Sequence, residues 1–233
     1  MTKIIVSEIE IEVTKKNIKN LNLSIHPPNG QVKISAPKKM TDETIRSFIV
    51  SKIPWIKKQQ RRFADLEIVP ESEFVSGESH YLFGTGYLLS VTYQNSGRVK
   101  ADIRDEKYID LYIKEGSSKE TREYIMKEWY RKELKAAIPP LIEKWEKIMD
   151  VKVEDWGVKQ MKTRWGTCNT RDKRIWINLE LAKRLPHCLE YIVVHEMAHL
   201  LERGHGDRFK ALMDKYYPNW RNVKAELNGM ILD

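Results

Sequence analysis

Three histidines of this chain lie close together, at His195, His199 and His205. The first two belong to the segment His195-Glu196-Met197-Ala198-His199, an HExxH pattern with apolar residues on both sides. Residues four apart on a helix share one face, about 6 Å apart along the axis, so these two imidazoles can converge on one metal ion. Glu196 lies beside the first ligand and can take a proton from a metal-bound water. The pattern therefore predicts a zinc-dependent hydrolase in which Glu196 activates a zinc-bound water.

A third ligand is needed to complete such a site, and His205 is the natural candidate. A helix that continued through this position would carry the side chain too far along the axis, so the helix must end first. Gly204 is predicted to end it, because glycine accepts the left-handed conformation that closes a helix. The fourth position then stays open for water or substrate, as in catalytic sites. Alternative third ligands are Glu202, Asp207 and Glu226.

The elements around this motif indicate an α+β fold. Short runs of alternating apolar and polar residues predict an antiparallel, β-rich region over residues 1–116, which could bind a substrate or partner. At Gly116-Ser117-Ser118 the hydrophobic period changes from two to that of a helix. A mainly helical region with a small β-sheet is therefore predicted over residues 117–233, although the two regions could also form one continuous domain.

Prolines mark several of the predicted helix boundaries. The first helix is expected to break or restart at Pro54, and the long helix that begins near Lys119 is expected to end at Pro139-Pro140. The helix that carries the HExxH pattern is predicted to run from Pro186 to about Arg203.

Composition limits the functional classes. Hydrophobic residues make up 41% and charged residues 32%, as in ordinary folded proteins, and no apolar run approaches the roughly 18 residues that a membrane span needs. The first residues read as a strand and not as a signal peptide, so we expect a cytoplasmic protein without membrane association. Cys168 and Cys188 are expected to be structural thiols without a disulfide bond. The formal net charge of +8 is compatible with polyanionic partners, including nucleic acid.

Several segments together resemble a known family. The segment 164–168 (Arg-Trp-Gly-Thr-Cys) is similar to a segment of the YgjP-like family of metal-dependent hydrolases, with Thr167 in place of a serine. The approach to the HExxH pattern over 177–194, and a downstream block with Gly204-His205 and Phe209, also resemble this family. Its members are zincin-like metallopeptidases related to SprT. The resemblance covers most of the chain and implies a zincin-like catalytic domain, with zinc as the cofactor. It also implies that the three histidines bind the zinc and that Glu196 is catalytic.

The substrate is less constrained than the metal site. A hairpin from Met161 to Asn178 could bind an extended substrate by backbone pairing, and Arg164 or Arg174 could steady a developing oxyanion or a phosphate. We therefore expect substrate contacts from Arg164, Trp165, Arg174 and Asn178. Arg164 and Trp165 could instead be structural and pack the strand on the helix.

Three functions remain open at this point. A zinc metallopeptidase that acts on peptides or proteins is the first. The resemblance also allows a metal-dependent nucleotide (UTP) pyrophosphatase, because some relatives carry that name. A nucleic-acid-associated binding module with a structural zinc is the third, and Glu196 argues against it because a structural site has no need of that carboxylate.

Overall fold

The computed structural model describes residues 2–26, 30–64 and 72–229. These residues form five α-helices and three small β-sheets, which confirms the predicted mixed α and β fold. The chain divides into two compact units, Met1–Glu71 and Ser72–Asp233.

The first unit is a four-stranded sheet with one helix. Its strands are β1 (Thr2–Val6), β2 (Ile9–Lys16), β3 (Asn22–His26) and β4 (Gln31–Pro37), and they are ordered β1-β2-β4-β3. Apolar residues that alternate along β2 and β4 form a small core with one face of helix α1 (Asp42–Ala64). The residues that form this core all belong to the first unit.

Helix α1 continues through Pro54, so the predicted break at this residue is wrong. Proline removes the hydrogen bond to the carbonyl four residues earlier, which here belongs to Val50. The Val50 side chain is 54% exposed. Because this face of the helix is open to solvent, water can take the place of the missing donor.

The second unit begins with another four-stranded sheet and a long helix. Strands β5 (Ser79–Leu82), β6 (Thr85–Tyr93), β7 (Lys100–Arg104) and β8 (Tyr108–Ile113) are ordered β5-β6-β8-β7. Helix α2 (Lys119–Met149) buries its apolar side in the same core as this sheet. The compact units thus divide at residue 71 and not at 116, where the change in period predicted a boundary. The change in hydrophobic period at residue 116 marks only the passage from β8 to α2, and both elements belong to the same core.

Helix α2 also runs through two prolines, Pro139 and Pro140, which were predicted to end it. The carbonyls that lose their hydrogen bonds belong to Lys135 and Ala136. Both residues are exposed, so water can replace the lost donors here too.

The two four-stranded sheets share one topology, and neither is purely antiparallel as predicted. In each, two antiparallel hairpins are joined by a parallel pairing of their second strands, β2 with β4 and β6 with β8. Alternation along a strand reports which side chains are buried, and it does not report the direction of the neighbouring strand. The prediction was therefore right about the strands and wrong about part of their pairing.

A small third sheet and three helices complete the second unit. The strands are β9 (Asp155–Lys159), β10 (Gly166–Asn169) and β11 (Arg174–Asn178), ordered β10-β11-β9 with β10 at the edge. A 3₁₀ helix (Leu179–Lys183) leads into α3 (Pro186–Ala198), α4 (Asp207–Tyr216) and α5 (Trp220–Asn228).

Two further expectations concern the whole chain. Within the described ranges, no helix combines the length and apolar character that a membrane crossing requires. Cys168 and Cys188 are both free thiols, as predicted.

Candidate metal centre

Helix α3 carries the HExxH pattern and is apolar on nearly every side. Proline at its first position costs no hydrogen bond, because the first amide groups of a helix have no partner within it. The residues between Cys188 and Ala198 are almost all buried in the large core of the second unit. This packing fixes the helix, so the polar side chains that it carries are held in one place.

The helix ends earlier than the sequence predicts, and for a different reason. It stops at Ala198, with His199 as the C-cap, and not near Arg203. The amides of Leu200 and Leu201 bond to carbonyls three residues back, which tightens the last turn. Gly204 has no positive φ angle, so the predicted left-handed stop at this residue is wrong. The chain nevertheless turns back after α3, so that His205 lies beside His195.

The three imidazoles of His195, His199 and His205 converge, and we call them the triad. Each offers a nitrogen within 4.8 Å of the others. The Nε2 atoms of His195 and His205 are 3.1 Å apart, close to the roughly 3.3 Å between two nitrogen ligands of a tetrahedral zinc ion. His199 Nδ1 lies 3.1 Å from the carbonyl oxygen of Glu202, to which it can donate. That bond selects the tautomer whose Nε2 has a free lone pair.

A phenylalanine that the sequence did not single out for the site lies against all three rings. Phe209, in the first turn of α4, is 2% exposed. Its ring centroid lies 4.6 Å from that of His199, 4.9 Å from that of His195 and 4.8 Å from that of His205. This contact restricts the orientation of each imidazole and excludes water from one side of the triad.

Burial changes the charge states of the groups in α3. Burial and the neighbouring imidazoles lower the pKa of His195 to about 3, so this ring is neutral at physiological pH. Glu196 is 4% exposed, and burial raises its pKa to about 8, an effect that the positive charge of Arg164 partly offsets. A carboxyl group with a pKa near neutrality is suited to both accept and release a proton.

Strand β10 passes very close to Glu196, and only glycine permits this approach. A Cβ atom on Gly166 would lie 2.6 Å from Glu196 Oε1 and 2.9 Å from Cγ2 of Ile192. Any side chain at this position would therefore displace the carboxylate or the strand. Gly166 was noticed only within the family-like segment, because nothing in the sequence shows which backbone lies opposite the helix.

The triad and Glu196 face a cleft of about 650 Å³. Arg164 and Trp165, two of the four residues expected to contact substrate, line this cleft together with strand β10. Two further cations, Arg203 and Lys224, lie on its rim. Among the described residues, Arg164, Arg203 and Lys224 form no ion pair, so the cleft presents unneutralised positive charge beside the triad.

The structure does not bring the other two predicted substrate residues to the cleft. Arg174 pairs with Asp155, at 2.6 Å between Nε and Oδ2. Asn178 is fully buried, and its amide nitrogen donates to the carbonyls of Met161 and Arg164. Asn178 thus fixes the loop that carries Arg164, and it does not itself line the cleft.

The alternative third ligands also lie apart from the triad. Glu202 directs a carboxylate oxygen to the amide of Gly204. Asp207 is 99% exposed and pairs with Lys210. Glu226 contacts His187, at the opposite end of α3. Of the four candidates, only His205 belongs to the cluster that contains His195 and His199.

Comparisons with known proteins place these observations in a family. No curated protein matches the chain. A crystal structure of the metallopeptidase zymogen of Methanocaldococcus jannaschii jannalysin matches 39% of this chain and 92% of that chain, with 17% identity and a TM-score of 0.35. The profile of the YgjP-like metallopeptidase domain matches residues 19–230. The chain therefore belongs to the YgjP-like family of metallopeptidase domains, and it is a metal-dependent hydrolase.

Proposed function

We propose that the chain is a zinc metallopeptidase in which the triad holds Zn²⁺ and Glu196 is the general base. The observation that carries this proposal is the convergence of three imidazoles beside a buried carboxyl group in one open cleft. Three protein ligands leave a fourth position for water or substrate, which separates a catalytic zinc site from a closed structural one.

The residues of the triad fit a zinc ion well. Imidazole nitrogen is a common zinc ligand, and the ring of His199 already has its other nitrogen directed at a backbone carbonyl. The Nε2 atoms of His195 and His205 face each other at 3.1 Å, so lone pairs from two imidazoles can meet on one cation. A divalent cation held here would polarise a substrate carbonyl and lower the pKa of a water molecule.

The chain's own residues then supply the proton transfers and the substrate position. The Glu196 carboxylate accepts a proton from the attacking water and returns it to the leaving amine. Among the described strands, β10 has a sheet neighbour on only one side, and its residues Gly166 to Cys168 line the cleft. An extended peptide can pair with the other edge of β10, which would place a scissile carbonyl between Glu196 and the triad.

The test compares the wild type with Glu196→Gln, which keeps the shape of the side chain and removes its basicity. Peptide cleavage should fall by a factor on the order of 10²–10⁴, while the zinc content of the triad stays unchanged. His26→Gln, in the first unit, is a control that removes a histidine outside the triad and should leave cleavage intact. Full cleavage by Glu196→Gln would contradict the assigned role.

A second candidate function is the hydrolysis of a nucleoside triphosphate such as UTP to release pyrophosphate. The unneutralised cations Arg164, Arg203 and Lys224 favour it, because they could bind a polyphosphate on the rim of the cleft. The two functions are separated by giving the same enzyme a peptide library and UTP. If UTP hydrolysis alone is detected, and Glu196→Gln abolishes it, then the peptidase proposal is replaced by this one.

A further inference from the structure

A second group of metal-ligand side chains lies at the opposite end of helix α3 from the triad. His187 and Cys188 are in the first turn of α3, and Glu226 is on α5. Their ligand atoms all lie within 4.8 Å of one another, and we call these three residues the second cluster. No part of the proposed peptidase mechanism uses them.

One carboxylate holds the second cluster together. Glu226 Oε2 lies 2.8 Å from Nε2 of His187, and Cys188 donates from Sγ to Oε1 over 3.5 Å. Ligands of a tetrahedral zinc ion are about 3.3–3.8 Å apart when the set contains nitrogen, oxygen and sulfur. The separation of 3.5 Å lies in this range and that of 2.8 Å is shorter than it, so a cation could enter if the carboxylate moved back from His187.

Burial of the second cluster is graded from the core to the solvent. Cys188 is fully buried, whereas the side chains of His187 and Glu226 are 42% and 31% exposed. The thiol therefore closes the inner end, and the imidazole and carboxylate face the entrance. A cation could enter from this side and keep a water molecule as its fourth ligand.

The charges of these ligand types also match a divalent cation. A neutral imidazole, a thiolate and a carboxylate together carry two negative charges, which neutralise a divalent ion in a partly buried place. We propose that the second cluster binds one Zn²⁺ ion as a structural site that joins α3 to α5. Cys188 binds as the thiolate, and its proton passes to water when the cation enters.

The place of Glu226 on α5 connects this site with the catalytic cleft. Lys224 and Leu227, its near neighbours on the same helix, line the cleft beside the triad. A cation at the second cluster would tie α5 to the first turn of α3 and so hold this wall of the cleft. The site therefore contributes to the shape of the cleft without contact with the substrate.

Cobalt substitution distinguishes the two sites, because Co²⁺ bound to a thiolate absorbs strongly in the near ultraviolet and Co²⁺ bound only to imidazoles does not. The full chain is stripped of metal and titrated with Co²⁺. We expect two bound equivalents and a thiolate band. Cys188→Ser should lose the band and one equivalent, whereas Cys168→Ser, which removes the chain's other thiol, should keep both. One bound equivalent without a band, or a band that disappears only in Cys168→Ser, would overturn the proposal.

A second variant protects this test against misfolding, since Cys188 lies in the core. Glu226→Gln keeps the shape of the side chain and its exposure but removes the charge. It should fold as the wild type does by circular dichroism and bind the second equivalent at least about tenfold more weakly. His199→Ala should keep the thiolate band, because the triad supplies no ligand to it. Unchanged affinity in a folded Glu226→Gln protein would refute the structural site.

Discussion

Helix α3 carries metal-ligand side chains at both of its ends, and the two groups differ in chemistry. The triad offers three imidazoles, whereas the second cluster offers an imidazole, a thiol and a carboxyl group. A divalent cation in the triad would keep its full positive charge, which is what polarises a carbonyl and acidifies water. The same cation in the second cluster would be neutralised by its ligands. The ligand set alone therefore suits one end to catalysis and the other to structure.

The two groups also differ in what they lose when a cation binds. In the second cluster, the Glu226 carboxylate already accepts a hydrogen bond from Cys188 and lies 2.8 Å from Nε2 of His187, and binding must disrupt these interactions and release the thiol proton. In the triad, a cation replaces one contact, between the Nε2 atoms of His195 and His205, and no ligand has to release a thiol proton. The triad therefore loses less when a cation binds, and we expect it to be the tighter site.

The largest difference in activity is expected between variants that remove one imidazole from the triad and one from the second cluster. His199→Ala should lower peptide cleavage by a factor on the order of 10³ or more, because the remaining ligands no longer hold the cation that activates water. His187→Ala should remove only the second metal equivalent and keep most of the cleavage. Steady-state kinetics and metal content are measured on both variants. Equal losses of activity would mean that the two ends are one functional site.

Gly166→Ala tests whether the catalytic end depends on the close approach of strand β10. The added Cβ would meet Glu196 Oε1 at 2.6 Å, so the carboxylate must move away from its position beside the triad. A displacement of this kind costs about 10² in kcat, and zinc content should stay constant because no ligand changes.

Gly204→Ala is the matched control for this glycine. Among the described residues other than its two chain neighbours, none has a heavy atom within 4 Å of a Cβ at this position, and the φ angle of Gly204 is not positive. The control should retain cleavage. If both variants lose activity alike, then the backbone near the triad matters and the contact between β10 and Glu196 does not.

The difference between the two ends also explains what the sequence could reveal. His195, Glu196 and His199 share one turn of helix, so their spacing alone predicts their convergence. His205 follows shortly after, within reach of a short turn. Glu226, by contrast, meets His187 only because α5 folds back onto the start of α3. Phe209 and Gly166 were missed as site residues for the same reason, since their contacts depend on packing between elements that the sequence does not order in space.

The fold, too, could be predicted only where it depends on local sequence and not on contacts between elements. Alternation of apolar and polar residues predicted the strands, because burial of one face leaves a direct trace in the sequence. The structure confirms the predicted mixed α and β class. The parallel pairing of β2 with β4 left no such trace. The breaks predicted at Pro54 and at Pro139-Pro140 were wrong because the residues whose carbonyls lose a hydrogen bond are exposed, which is a property of the tertiary structure.

The stability of the metal-free chain should depend on pH, because the carboxyl group of Glu196 is buried beside the triad. Burial raises the pKa of Glu196 from 4.5 to about 8 in the folded, metal-free chain. The folded chain thus holds a proton that the unfolded chain has released, so this contribution is complete below pH 4.5 and is lost as the pH rises through 8. The pKa of His195, lowered to about 3, has the opposite effect, but only below pH 6.5.

The Glu196 effect is therefore isolated between pH 6.5 and 8. In this window the metal-free wild type should lose thermal stability as the pH rises, and Glu196→Gln should show a flatter profile because the amide does not titrate. The melting temperature in the presence of a chelator is the measurement. Parallel profiles for the two proteins would show that Glu196 is solvated and not strained by burial.

The smallest expected effect concerns the support of the second cluster. The hydroxyl of Tyr217 donates to the carbonyl oxygen of His187 over 3.0 Å and holds the first turn of α3. Tyr217→Phe removes this bond at a cost of about 1 kcal/mol and should weaken Co²⁺ binding at the second cluster more than it lowers peptide cleavage. Tyr216→Phe is the control, because that hydroxyl contacts Lys215 and not α3. A loss of cleavage in Tyr217→Phe that exceeds the loss of Co²⁺ affinity would place this tyrosine with the catalytic end of the helix.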